Sequence, residues 1–224
     1  MDDVIKAAPL FRALDDGAAD ALRQSMTEVR LRRGRVVFRE GDTGDQLFVL
    51  AEGRLKVGVR AADGRESLLS VLGPGDMFGE LSVFDPGRRA ATATAMSDVR
   101  VLALRHDALR PWLDRRPEVA VSLLQQLSGR LRRANAALGD LVFSDVAGRV
   151  ARALLDLSDR FGAQGADGLR VRHGLTQGEL AQLVGASRET VNKALADFAG
   201  RGWLRRESRG VVLLDVERLR RRAR

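Results

Sequence analysis

Short apolar runs broken by glycine fill the first half of the chain, between about residues 28 and 105. Glycine tolerates the positive φ angles of tight turns, and the Asp63-Gly64 pair between two such runs is typical of a hairpin. Many short strands at regular spacing predict an antiparallel sandwich or barrel. An Ala-rich stretch at about residues 15–26 predicts a helix before it. The predicted strands include residues 36–38, 47–50, 55–59, 68–72 and 99–104.

A different periodicity begins after Pro117, where apolar residues recur at alternating spacings of four and three. This heptad seam predicts a helix over residues 117–143 that pairs with a second copy as a coiled coil. The alternative is a helix that packs only on its own barrel. The seam consists of Ala120, Leu124, Leu127, Leu131, Ala134, Leu138 and Leu141.

The basic excess of the chain lies in its C-terminal third. The formal net charge is +8, and residues 144–224 carry 16 Lys and Arg against 10 Asp and Glu. Such an excess is expected of a segment that contacts the phosphates of nucleic acid. A merely solvated basic face is the alternative. The basic tail, residues 218–224, is expected to be a frayed and solvated end.

Composition excludes several classes of protein. The chain has no cysteine, which excludes disulfides, thiolate zinc sites and iron–sulfur clusters and fits a cytoplasmic protein. An enzyme on a cupin-like barrel would need clustered His and carboxylate ligands, yet His106 and His173 lie in different halves of the chain. We therefore expect no catalytic residues and no metal. The sequence has no run of eighteen apolar residues to span a membrane and no secretory signal.

Residues 175–195 carry the pattern of two short helices joined by a tight turn. Thr176 and Glu179 form a capping box that begins the first helix. Gly185 suits a turn that needs a positive φ angle, and Ser187 caps the second helix. This pattern predicts a helix-turn-helix unit, whose second helix enters the major groove of DNA.

The flanking segments complete a winged domain. A helix over residues 146–161 and a loop over residues 162–168 are predicted before the unit, and strands near 203–206 and 211–214 form a hairpin, the wing, after it. The first turns of the recognition helix present side chains suited to base edges and phosphates. The predicted DNA-binding residues are Ser187, Arg188, Glu189, Thr190, Asn192, Lys193 and Arg209.

The strings Val184-Gly-Ala-Ser-Arg-Glu-Thr-Val-Asn-Lys193 and Phe143-Ser-Asp-Val-Ala-Gly-Arg149 resemble the cyclic-AMP receptor protein (CRP/FNR) family of bacterial transcription regulators, especially its actinobacterial members. The resemblance covers nearly the whole chain. It implies an α+β protein with an N-terminal antiparallel β jelly-roll of the cyclic-nucleotide-binding type over 1–116, a dimerisation helix over 117–143 and a winged helix-turn-helix domain over 144–224. It also implies a homodimer that binds a palindromic TGTGA-like site in double-stranded DNA and contacts RNA polymerase.

The resemblance also assigns a ligand site to the barrel. Phe78-Gly79-Glu80-Leu81, followed by Arg88-Arg89-Ala90, is similar to the family's phosphate-binding cassette, which implies cyclic AMP as the effector. Arg89 would neutralise the cyclic phosphate, and Glu80 would accept a hydrogen bond from a ribose hydroxyl. The implied site comprises Gly79, Glu80, Leu81, Arg89 and Ala90 in the cassette, Val57 and Leu69 beside the base, and Arg130, Ala134 and Asn135 on the long helix.

Two positions depart from the family pattern. Members that bind cyclic AMP usually have Ser or Thr where this chain has Ala90, and Thr where it has Ala134. The missing hydroxyls are expected to weaken binding of cyclic AMP, since each neutral hydrogen bond contributes about 0.5–1.5 kcal/mol, with Asn135 as a partial substitute. The alternative is a ligand-independent DNA-binding regulator whose barrel serves only for dimerisation.

Overall fold

The computed structural model describes residues 3–6, 8–85 and 87–223. The chain divides into two compact units, residues 1–132 and 133–224, and the division lies within one long helix. Antiparallel strands dominate the first unit and helices dominate the second. The α+β class predicted from the sequence is confirmed.

The first unit contains two four-stranded antiparallel sheets. Its strands are β1 (Thr27–Leu31), β2 (Val36–Phe38), β3 (Gln46–Glu52), β4 (Leu55–Arg60), β5 (Glu66–Leu72), β6 (Met77–Phe78), β7 (Thr92–Ala95) and β8 (Val99–Arg105). The strand orders are β1-β8-β3-β6 and β2-β7-β4-β5. Its helices are α1 (Asp3–Lys6), α2 (Pro9–Arg12), α3 (Asp16–Gln24), α4 (Leu81–Phe84), α5 (His106–Arg115) and α6 (Pro117–Phe143), the last of which continues into the second unit.

Strand β3 shows why the barrel has short, continuous apolar runs. Phe48 and Leu50 lie in the core between the two sheets, whereas Leu47 and Val49 lie in a second core that helices cover. Because both faces of the strand are buried, its side chains do not alternate between apolar and polar. The same second core buries Val119 and Leu123, from the first turns of α6.

The second unit combines helices with a small sheet. Its further elements are α7 (Val146–Phe161), β9 (Gly162–Gly165), β10 (Gly168–Val171), α8 (Gln177–Val184), α9 (Arg188–Gly200), β11 (Leu204–Glu207), β12 (Gly210–Leu213) and α10 (Val216–Arg222). The sheet order is β11-β12-β10-β9, and all its pairs are antiparallel. The wing predicted from the sequence is the β11–β12 hairpin, and Arg209 takes the positive φ angle of its turn, 55°.

The predicted loop at residues 162–168 is wrong, because this segment forms the β9–β10 hairpin. Gly162, Ala163, Gln164 and Gly165 carry no alternating apolar signal, so their sequence does not indicate a strand. The hairpin instead depends on tertiary pairing, since β10 bonds to wing strand β12. Sequence patterns within one segment do not report such a partner.

The predicted frayed tail is also wrong over the described residues, which form α10 as far as Arg222. Leu219 is fully buried where α10 packs on α7. The guanidinium of Arg222 lies 2.5 and 2.7 Å from the two carboxylate oxygens of Asp145, which caps the start of α7. The buried leucine and the ion pair therefore hold this segment on the domain, although its basic composition suggested a solvated end. Arg224 lies outside the described residues.

Candidate functional site

The first candidate site is the turn between β6 and α4. Gly79 has a φ of 75°, a conformation that favours glycine, and a Cβ at this position would lie 2.9 Å from Nη1 of Arg89. The turn therefore brings the backbone close to that guanidinium. Glu80 and Arg89 are only 1% and 6% exposed. Because buried charges are costly unless they have partners, their contacts indicate what the site can bind.

Arg89 is held by three acceptors from two segments of the chain. Its Nη1 donates to the carbonyl of Gly79 at 2.6 Å and to Oγ of Ser82 at 2.7 Å, and its Nη2 donates to the carbonyl of Gln46 at 2.8 Å. The guanidinium also lies 4.4 Å from the ring centre of Phe38, a favourable cation–π distance. Burial lowers the pKa of Arg89, and the nearby carboxylates oppose that shift. The group stays cationic at neutral pH.

Glu80 forms an ion pair with a side chain of the long helix α6, within the first unit. Nη1 of Arg130 lies 2.7 Å from Oε1 of Glu80, and Nη2 of Arg130 donates to the carbonyl of Met77. Gln126, one turn earlier on α6, donates to the same carbonyl at 3.4 Å. Two side chains of α6 thus bond to Met77 and Glu80, which connects Glu80 directly to the long helix.

Two buried atoms of the cassette lack hydrogen-bond partners: Oε2 of Glu80 and Nε of Arg89. One is an acceptor and the other a cationic donor, and leaving each unbonded costs about 1–3 kcal/mol or more. An anionic ligand that also carries a hydroxyl would satisfy both. The residues present therefore fit a phosphate-containing nucleotide.

The structure brings together only part of the predicted ligand set. Gly79, Glu80, Arg89 and Arg130 form one connected cluster, and Leu81 begins α4 beside them with its side chain exposed. Val57 packs against the core between the sheets, whereas Leu69 is 55% exposed. Ala90 is exposed, as are Ala134 and Asn135, which lie in the second unit. The roles of these last residues stay predictions.

The residues that sequence reasoning missed at this site include Gly44, Gln46 and Ser82. Ser82 contacts Arg89 through its hydroxyl, and Gln46 through its backbone carbonyl. A Cβ at Gly44 would lie 2.5 Å from Cζ of Arg89 and would also overlap Ser82 Oγ. Gly44 and Gln46 precede Arg89 by more than forty residues, so no local pattern connects them. Ser82 directly follows the motif Phe78-Gly79-Glu80-Leu81, but a serine at a helix start does not by itself indicate a contact with Arg89.

The second candidate site is the predicted helix-turn-helix, and its local signals are confirmed. Thr176 and Glu179 form the reciprocal capping box at the start of α8. Gly185 has a φ of 64° and ends that helix. The hydroxyl of Ser187 accepts from the backbone N–H of Thr190 at the start of α9. Each cap satisfies a backbone donor that would otherwise be unbonded, which fixes the directions of both helices.

Arg149 secures the turn between these helices. Its guanidinium donates to the carbonyl of Val184 at 2.9 Å, of Ser144 at 2.8 Å and of Gly185 at 3.3 Å. These acceptors lie at the end of α8, before α7 and in the turn. A cation at the C-terminal end of a helix also complements its dipole. Arg149, from the second string that carried the family resemblance, thus ties α7 to the helix-turn-helix.

The recognition helix α9 exposes most of its predicted contact residues. Arg188, Glu189 and Lys193 are all exposed, and Lys193 pairs with Glu189 at 2.7 Å. An exposed pair of this kind contributes little to stability, so both side chains can exchange it for contacts with bases. Asn192 differs from its predicted outward direction, since it is half-buried and its Oδ1 is buried without a partner.

A groove of about 530 Å³ lies between the start of α8, the start of α9 and the wing. Thr176 and Gln177 line one side, Arg188 lines another, and Arg206 and Arg209 line the third. Three arginines and the start of α8 line the groove together with one carboxylate, that of Glu207, and this mainly basic lining suits a backbone phosphate of DNA.

Two family models match the chain: the cyclic nucleotide-binding domain over residues 28–116 and the Crp-like helix-turn-helix domain over residues 148–222. The CRP-like cAMP-activated global transcriptional regulator of Mycobacterium tuberculosis is 54% identical over 224 residues, all of both chains. The chain belongs to the CRP/FNR family. It is accordingly a transcription regulator with a cyclic nucleotide-binding domain and a helix-turn-helix DNA-binding domain, as the sequence predicted.

Other CRP-family proteins resemble the chain less closely. The cyclic AMP receptor protein of Thermus thermophilus is 37% identical over 202 residues, 90% of each chain. The c-di-GMP responsive global regulator CLP of Xanthomonas campestris has a similar structure, with a TM-score of 0.77 and 26% identity over 89% of this chain and 99% of that one.

The described residues lack membrane-spanning helices and clustered metal ligands. None of the helices within them is both long and apolar enough to cross a membrane. They also contain no group of three or more His, Cys, Asp or Glu placed to hold a metal ion.

Proposed function

We propose that this CRP-family chain binds DNA as a homodimer and that cyclic AMP modulates its binding. One observation carries the effector assignment: Glu80 Oε2 and Arg89 Nε are buried without partners in the same cassette. Cyclic AMP has the matching groups, because its phosphate accepts hydrogen bonds from a guanidinium and its ribose hydroxyl donates to a carboxylate. The names of the mycobacterial and Thermus relatives support the same ligand.

In this proposal Arg89 holds the phosphate and Glu80 holds the ribose, and Gly79 allows the backbone to approach the ligand. Arg130 connects Glu80 to α6, as its ion pair supports. The remaining members of the site are Leu81 and Ala90 in the cassette, Val57 and Leu69 beside the base, and Ala134 and Asn135 on α6. We expect weaker binding than in relatives with hydroxyls at positions 90 and 134.

An exposed apolar stripe on α6 supports the homodimer. Leu124, Leu131 and Leu138 are each more than 60% exposed, and Leu141 is 52% exposed. All four occupy the predicted heptad seam, and burying a leucine fully is favourable by roughly 1.5–3 kcal/mol. Pairing two α6 helices would bury them. The domain limits that we propose are 1–116 for the barrel, 117–143 for the dimerisation helix and 144–224 for the DNA-binding domain.

The helix-turn-helix groove supports the proposed DNA contacts. Arg188 and Glu189 would read guanine and cytosine, with Lys193 beside them. Ser187, Thr190 and Arg209 would contact phosphates, and Asn192 would join the contacts only if DNA binding draws its carboxamide outward. A two-fold dimer implies a palindromic site, which we propose to be TGTGA-like. RNA polymerase is the proposed protein partner.

One observation favours a second candidate function, a ligand-independent regulator. Ala90 and Ala134 lack the hydroxyls that family members binding cyclic AMP usually have, and both side chains are exposed. A chain of this kind would bind its DNA site with the same affinity whether or not a nucleotide is present.

Calorimetric titration of the full chain tests the effector assignment. Cyclic AMP is expected to bind, and Arg89→Gln is expected to weaken binding by about tenfold to a hundredfold, because it removes a charge-assisted contact. Arg88→Gln is the matched control, since the side chain of Arg88 is exposed and donates to the carbonyl of Gly41 rather than to a group of the cassette. Cyclic GMP and cyclic di-GMP serve as competing ligands. No binding at millimolar cyclic AMP would support the ligand-independent alternative.

A further inference from the structure

Ser82 is a buried hydroxyl at the cassette to which the family pattern gave no role. It lies in α4 and is 7% exposed. Its Oγ accepts a hydrogen bond from Nη1 of Arg89 at 2.7 Å and lies 3.4 Å from the carbonyl of Gly79. The residue after the cassette arginine, Ala90, is exposed and has no hydroxyl. The hydroxyl that contacts this arginine therefore comes from Ser82.

The hydrogen bonds of Arg89 divide its guanidinium into a part that has acceptors and a part that has none. Nη1 donates to Gly79 and Ser82, and Nη2 donates to Gln46, whereas Nε has no acceptor. A guanidinium is planar, with five N–H donors in fixed directions. Fixing Nη1 and Nη2 consequently fixes the direction of the Nε hydrogen as well.

Gly44 lies directly against the side chains of Ser82 and Arg89. A Cβ at Gly44 would overlap both Nε of Arg89 and Oγ of Ser82. Contact this close shows that the two side chains are packed against the backbone at residue 44 and are not free to reorient. Without Ser82 Oγ, one of the two acceptors of Nη1 would be lost from a site where water does not readily replace it.

We propose that Ser82 is a positioning residue for the effector: its hydroxyl orients Arg89 toward an anionic phosphate and replaces the hydroxyl missing at position 90. The inference rests on the proposed function, since it concerns the same cyclic AMP site. If Ser82 supplies this hydroxyl, the hydroxyl missing at position 134, and not the one missing at position 90, is what weakens cyclic AMP binding.

A double-mutant cycle in the full chain tests this role. Calorimetry measures cyclic AMP affinity for the wild type, Ser82→Ala, Ala90→Thr and the double variant. Ser82→Ala is expected to weaken binding about tenfold, the factor for one hydrogen bond to a charged group. Ala90→Thr should change the wild-type affinity by less than about twofold, but should recover most of the loss in Ser82→Ala, which is the non-additivity expected of two groups that serve one partner.

Two further variants separate positioning from folding. Ser82→Cys keeps the shape of the side chain but replaces the hydroxyl with a larger thiol that is a poor acceptor, so it should bind like Ser82→Ala while remaining folded. Ser67→Ala, an exposed serine on β5, should change neither property. Equal affinities for Ser82→Ala and the wild type would overturn the inference, as would the same effect of Ala90→Thr in both backgrounds. A wild type that binds no cyclic AMP would instead contradict the proposed function itself.

Discussion

Replacing Gly44 with alanine should damage the effector site while leaving the chain folded. Gly44 does not have a positive φ angle, so its backbone accepts alanine without strain. The added Cβ would lie 2.5 Å from Cζ of Arg89. The guanidinium must therefore move by about 1 Å to reach an ordinary contact of roughly 3.5 Å. Such a shift breaks or lengthens its bonds to Ser82 and Gln46.

The magnitude follows from those contacts. Overpacking of this kind costs about 1–3 kcal/mol of stability, and disrupting charge-assisted bonds at the ligand weakens affinity for cyclic AMP about tenfold to a hundredfold. Calorimetry gives the affinity, and thermal unfolding gives the stability of the same samples. Gly87→Ala is the matched control, because a Cβ there makes only an ordinary contact of 3.6 Å with the carbonyl of Asp85. A folded Gly44→Ala variant with wild-type affinity for cyclic AMP would refute the assigned role of Arg89.

Four other substitutions test the dimer, the DNA contacts and the C-terminal ion pair. Leu131→Glu places a charge in the exposed seam and should give monomers in sedimentation that bind DNA poorly; a fully dimeric variant would contradict the coiled-coil assignment. Arg188→Ala should cost about 1–3 kcal/mol on a cognate site and flatten preference at one base, whereas Arg209→Ala should weaken all sequences alike and reduce the salt slope. The hydrogen bond from Arg222 lowers the pKa of Asp145. The ionised carboxylate therefore stabilises the folded chain at neutral pH, and this stabilisation is lost as the pH falls through the lowered pKa. Below about pH 4, the melting temperature of the wild type should consequently fall more steeply with decreasing pH than that of Asp145→Asn.

The elements that the sequence predicted correctly are those with local signals. The caps at Thr176 and Ser187 and the turn at Gly185 depend on neighbouring residues, and each is observed where it was predicted. The heptad spacing predicted α6 over the residues that form it. Strands β3, β4, β5 and β8 were apparent because apolar runs lie between glycines. Strand β6, with two residues, is defined only by its pairing with β3, and no local pattern announces it.

The residues of the candidate site likewise divide into those with a local sequence signal and those without one. Glu80 and Arg89 were identified because they belong to one short motif. Gly44 and Gln46 act through close approach and a backbone carbonyl, properties that any residue type can supply once the fold places it there. The tail was misjudged because the burial of Leu219 and the ion pair between Arg222 and Asp145 outweigh the basic composition of the segment.

The most direct test of the central claim is the affinity of the full chain for a labelled, palindromic TGTGA-containing duplex, measured by fluorescence anisotropy at fixed salt with and without cyclic AMP. A ligand shifts DNA binding only by its differential affinity for the two states of the protein. We predict that cyclic AMP tightens DNA binding, with a half-maximal effect at a concentration that matches its calorimetric Kd. Arg89→Gln should lose this response. Equal and strong DNA binding with and without millimolar cyclic AMP would contradict this prediction.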